Sequence, residues 1–118
     1  MIAELNLPYP PSGNHMWKHT RQGKHYLTAQ AKAYYEHLNW LVRSQGFDHK
    51  VADRLHVVCR ISPPDKRRRD LDNVWKVVSD GMTKSRVWLD DQQIDKLELH
   101  RLPPGKPGWV QVFVYLID

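Results

Sequence analysis

The sequence predicts an α+β (mixed α/β) domain: a single sheet of about four strands with two helices packed on it, in the order βαβαββ. Two observations carry that reading. Two stretches repeat their apolar residues with the 3.6-residue period of a helix, while four others alternate or run apolar as strands do. Proline pairs and a Pro/Gly cluster punctuate the boundaries, where neither a helix nor a central strand can continue. With 118 residues, 41% of them hydrophobic and 26% charged, the chain is sized for one core and one domain over residues 1–118.

Residues 2–7 read as the first strand, with Ala3, Leu5 and Leu7 on one face and Glu4 and Asn6 on the other. Pro8, Pro10 and Pro11 end it. Residues 12–25 read as a loop, in which Asn14, His15, Trp17, Lys18, His19, Arg21, Lys24 and His25 interleave aromatic and basic side chains. That interleaving suits stacking on bases and holding phosphates, and equally suits a solvated loop with its Trp anchored in the core. Thr28 is an N-cap for a helix ending near Gly46, whose stripe Ala31, Tyr34, Tyr35, Leu38, Leu41 and Val42 is core packing. His37, beside that stripe, is a surface or partly buried histidine rather than a ligand.

Leu55, Val57, Cys59 and Ile61 alternate with His56 and Arg60 as a second strand, which makes Cys59 an inert core residue. After Pro63 and Pro64, a second helix starts at Asp70 or Leu71 and runs to about Lys84, turning Leu71, Val74, Val78 and Met82 inward. Strands over 93–102 and 109–117 follow, joined by a Pro- and Gly-rich turn. The last strand sets Val110, Val112, Val114 and Leu116 on one face and Trp109, Phe113, Tyr115 and Ile117 on the other. A strand apolar on both faces needs cover on both, from helices or from a partner subunit.

The formal charge of +5 points to an anionic polymer, nucleic acid first. The single cysteine excludes an internal disulfide and fits a reducing compartment. No charged-then-apolar leader opens the chain, and its longest apolar stretch, 110–117, is too short to span a bilayer. A soluble, cytoplasmic protein with no membrane partner is expected.

The chemistry concentrates in residues 66–76, Lys-Arg-Arg-Arg-Asp-Leu-Asp-Asn-Val-Trp-Lys, and in the Asp90-Asp91 pair of Val87-Trp88-Leu89-Asp90-Asp91. Neighbouring carboxylates repel unless a cation joins them, and Mg²⁺ takes carboxylate oxygens while keeping several waters. Arg67, Arg68 and Arg69 suit phosphate, which a guanidinium grips bidentately. Acid for metal beside base for phosphodiester is what backbone hydrolysis needs. The plainer reading is that Asp70 or Asp72 caps or charges a helix start and that Lys76 pairs with Asp72 at i,i+4. Asp70 and Asp72 would point about 200° apart on an ideal helix, so they converge only if Asp70 precedes or caps it. The histidines do not make a zinc site: only His15 and His19 have helical ligand spacing, and they lie in the loop.

These residues resemble the RusA-type Holliday junction resolvases of bacteria and their phages, over nearly the whole chain. The resemblance rests on Leu7-Pro8-Tyr9-Pro10-Pro11-Ser12-x-Asn14, on Arg67-Arg68-Arg69-Asp70-Leu71-Asp72-Asn73-x-x-Lys76 and on Trp88-Leu89-Asp90-Asp91. It implies a homodimer that binds four-way junction DNA and nicks two strands symmetrically with Mg²⁺ or Mn²⁺, in recombination and repair. It places metal-binding and catalytic carboxylates at Asp70, Asp72 and Asp91 and the active-site lysine at Lys76. Lys18, Arg21 and Arg67–Arg69 are expected on the DNA backbone, Asp90 beside the site. The alternatives are a related phage nuclease for other branched DNA, and a catalytically silent DNA-binding module whose acids merely cap the second helix.

Overall fold

The computed structural model describes residues 1–12, 15–19, 21–46 and 52–117; Asn14 of the opening motif lies outside them. The chain order is β1 (Ala3–Pro8), β2 (Trp17–His19), β3 (His25–Leu27), α1 (Ala29–Ser44), β4 (Leu55–Ser62), α2 (Leu71–Lys84), a 3₁₀ turn (Asp91–Gln93), β5 (Ile94–Arg101) and β6 (Trp109–Leu116). The architecture is α+β, with a mixed four-stranded sheet in the order β1-β6-β4-β5. β6 runs antiparallel to both neighbours, whereas β4 and β5 are parallel. Parallel neighbours need a crossover, and α2 supplies it.

Helix boundaries follow local chemistry. Thr28 caps α1, its Oγ1 accepting the Ala31 N–H at 3.1 Å. Ala31, Tyr34, Tyr35, Leu38 and Val42 then bury one stripe, as their spacing requires. α2 buries Val74, Val77, Val78 and Met82. Both helices meet the same face of the sheet, formed by Leu5, Leu7, Val57, Cys59, Ile61, Val110, Val112 and Val114. Burial pushes the Cys59 thiol up to about 12, so it stays an unreactive thiol.

One expectation needs revision. Residues 12–25 are not wholly loop: β2 and β3 pair antiparallel, Trp17 opposite Leu27 and Lys18 opposite Tyr26, as a second, two-stranded sheet. Gly23 takes a φ of 77° in the connecting turn, a conformation that suits glycine. Met16, fully buried, anchors the hairpin, and its carbonyl accepts the Thr28 N–H at 3.0 Å. In the last strand, Val110, Val112 and Val114 are buried beneath the helices. Phe113 and Tyr115 face away from both helices and are half-buried, while Leu116 and Ile117 are exposed. No helix among the described residues is long and apolar enough to cross a membrane.

Candidate functional site

Pro63 and Pro64 end β4 and begin a turn that a single carboxylate organises. Asp65 accepts the Arg67 backbone N–H at 2.9 Å and the Arg69 guanidinium at 2.6 Å. These donors, Arg69 first, hold its carboxyl down at about 2. Arg69 also lies over the Tyr9 ring, 5.7 Å from its centroid, and Arg101 at the end of β5 donates to the Arg69 carbonyl at 2.7 Å. The three arginines therefore differ. Arg69 is braced, Arg67 is exposed with a 3.5 Å ion pair to Asp65, and Arg68 is exposed with no polar partner among the described residues.

Asp70 follows at the N-cap of α2 with extended backbone, so it leaves the helix as convergence with Asp72 would require. Its side chain makes no capping hydrogen bond. An aspartate at an N-cap normally accepts from the first turn, so this carboxylate is not spent on the helix. Asp72 sits exposed in the first turn, where the helix dipole favours its charge. No ion pair joins it to Lys76, which instead lines a cavity together with Arg68 and Asp70. The surface-pair reading of Lys76 is thereby lost.

The second acidic pair is built differently. Trp88 is fully buried, its Nε1–H donating to Thr83 Oγ1 at 2.9 Å, and it anchors the turn that carries Asp90 and Asp91. Asp90 caps the 3₁₀ turn, accepting the Gln92 N–H at 2.9 Å in a capping box with Gln93. Its role here is structural. Asp91 is exposed, and its carboxyl is pushed up, first by desolvation, then by its hydrogen bond and charge repulsion with Asp90 and the charge of Asp80. Asp80, toward the far end of α2, is thus a neighbour of this pair that the sequence did not flag.

Gln93 was missed as well. It is 4% exposed, its Oε1 accepts the Leu89 and Asp90 N–H groups at 2.8 and 2.9 Å, and its amide nitrogen donates to the Asp53 carbonyl at 2.9 Å. One buried amide therefore ties the acidic turn to the segment before β4. A glutamine three residues after an aspartate was the available signal, since that spacing marks a capping box.

The acids form two groups rather than one. Because α2 crosses between parallel strands, Asp70 and Asp72 lie where Arg69 meets the end of β5, while Asp91 lies just before its start. α2 has 14 residues, which at the helical rise spans about 21 Å. Among the described residues no group of three or more His, Cys, Asp or Glu side chains could hold a metal ion. The topology thus sets Asp70 and Asp72 at the start of α2 and Asp91 beyond its far end, beside Asp80. Each group nonetheless offers only carboxylate oxygens, the donors Mg²⁺ prefers and commonly shares with phosphate and water. Lys18 lies exposed on β2, and Arg21 lies exposed in the turn that follows.

The family model for endodeoxyribonuclease RusA matches residues 8–115. The chain is 32% identical to proteins named crossover junction endodeoxyribonuclease RusA from Shigella sonnei (strain Ss046), Escherichia coli (strain K12) and Enterobacteria phage 82. Each match extends over 110 residues, 93% of this chain and 91% of the relative.

Gln93→Leu should lower stability by about 1–3 kcal/mol, because two part-buried N–H groups lose their acceptor and a buried amide is removed. The neighbouring, exposed Gln92→Ala should stay within about 0.5 kcal/mol of the parent. Denaturant titration measures both, and equal effects would mean that Gln93 does not hold the acidic turn.

Proposed function

The chain belongs to the RusA endodeoxyribonuclease family, and from that premise we propose that it resolves four-way DNA junctions by paired, symmetric, Mg²⁺-dependent nicks during recombination and repair. As a member of that family it is an endonuclease. The proposed setting is the cytoplasm of a bacterium or of a cell carrying a prophage. The observation that carries the chemical reading is Asp70, an N-cap aspartate that makes no capping bond and shares a cavity with Lys76 and Arg68. A silent module whose acids only cap α2 would show the opposite.

In this reading Asp70, Asp72 and Asp91 hold Mg²⁺, or Mn²⁺ in its place. A bound divalent ion would acidify its water and neutralise charge on the scissile phosphate. Lys76 offsets the negative charge that builds on the phosphoryl and leaving oxygens as the bond breaks. Arg68, exposed and without a polar partner among the described residues, would take a neighbouring phosphate, with Lys18, Arg21 and Arg67 extending the basic surface. Arg69 holds the turn through Asp65 and keeps part of its guanidinium available to DNA.

The distance between the acidic groups bears on assembly. Asp70 and Asp72 open α2 whereas Asp91 follows its far end, and a second copy would bring the two groups together. We therefore read the active form as a homodimer in which the start of α2 in one copy meets the Asp91 turn of the other. The half-buried Phe113 and Tyr115 face leaves apolar surface uncovered by this chain's own helices. A two-fold dimer also suits a junction whose arms are related by an approximate two-fold axis.

Synthetic four-way junctions should be cut only when Mg²⁺ or Mn²⁺ is present, and in preference to forks, flaps and duplex. Asp72→Asn should abolish cutting while junction binding stays equal or tightens, since the amide keeps the volume and removes repulsion of phosphate. Equal cutting of duplex, or binding lost in step with cleavage, would overturn the assignment.

Asp70→Asn and Asp91→Asn, each inactive alone, should regain single-strand nicking when mixed and allowed to exchange subunits. One shared site in the mixed dimer then carries every carboxylate. A mixture that exchanges subunits and stays inert would place each site within one chain.

A further inference from the structure

Between the β2–β3 hairpin, the segment after β1 and one side of α2 lies a cavity of about 730 Å³. Its volume falls in the range of small-molecule sites. Fully buried Met16 and largely buried Tyr35, Val74 and Val77 line it with apolar surface. Trp17 lines it too yet remains 49% exposed, an indole edging an open recess. Arg68, Asp70 and Lys76 gather near the start of α2. Asn73 and Asp80, two helical turns apart, add hydrogen-bonding side chains from the same helix.

An aromatic wall, an apolar base, cations and a few polar groups form a combination that fits a nucleotide better than a peptide or a lipid. The apolar surface and indole take a base face, the cations take its flanking phosphates, and the polar pair reaches base edges. We propose that this cavity receives one nucleotide unstacked from the DNA strand beside the branch point, its base laid against Trp17 and its two flanking phosphates against Arg68 and Lys76. The inference rests on the DNA-cutting function proposed above and adds a source of its selectivity. A base inside continuous duplex is held by pairing and stacking, whereas one beside a branch point is cheaper to extrude. The cavity thus favours branched DNA without reading an extended sequence.

The test is a double-mutant cycle between protein and DNA, without divalent metal so that no strand is cut. Junctions carry a single abasic site at each position within four nucleotides of the branch point, and binding is titrated with the parent, Trp17→Ala and Trp17→Phe. One position per strand should lose about 5- to 100-fold in affinity for the parent and almost nothing further for Trp17→Ala, while Trp17→Phe restores most of the loss. The parent alone supplies a second reading: 2-aminopurine placed at that position should change its emission on binding, and the same probe in the arms should not. Equal abasic penalties in parent and Trp17→Ala, or no sensitive position and no 2-aminopurine response, would overturn the nucleotide pocket while leaving junction cleavage standing. A parent that neither binds nor cuts junctions would remove the function and the pocket together.

Discussion

The parallel pairing of β4 with β5 is the constraint on which the rest depends. Two strands that run the same way cannot be joined by a hairpin, so the chain must cross over, and α2 is that crossover. Its start is tied to the end of β5 through Arg101 and the Arg69 carbonyl, and its far end delivers the Trp88 turn to the start of β5. The residues between Asp70 and Asp91 thus run the length of a helix and turn back. Asp70 and Asp72 therefore open the crossover helix and Asp91 follows its end, which is why the site reads as two halves. Everything proposed about assembly follows from that separation.

Within each half, local chemistry does different work. At the start of α2, Asp65 restrains the basic run through Arg69 and the Arg67 amide, leaving Arg68 and Asp70 without polar partners among the described residues. At the second half the roles divide inside one dipeptide. Asp90 satisfies backbone donors, and Asp91 carries the desolvation and the repulsion of its acidic neighbours. Gln93 supplies the rigidity beneath both, since its buried amide fixes two N–H groups of the turn.

Much of this was legible in the residues. The α2 bounds followed from its apolar stripe and from the acids at its start, and the α1 cap followed from Thr28, because helical periodicity and capping are local properties. The β2–β3 hairpin was not legible: its strands have three residues each, too short for alternation to register, and they are basic besides. Proximity of Asp80 to Asp91 was likewise hidden, because it depends on where the crossover returns. The sequence made Asp70 and Asp72 look like one cluster with Asp91; the parallel pairing sets them at opposite ends of the crossover. The cavity beside Trp17 needed three elements from distant parts of the chain, so no window of sequence contains it.

The central claim is that the Asp70 carboxylate serves the reaction and not the helix. Asp70→Ala, measured by thermal unfolding in chelator and by junction cleavage with Mg²⁺, puts that claim directly at risk. A capping aspartate loses about 1 kcal/mol on truncation, whereas a carboxylate with no capping bond loses almost none. The expected result is an unchanged melting temperature with cleavage abolished. A melting temperature several degrees lower with cleavage retained would contradict it and return Asp70 to the role of a helix cap.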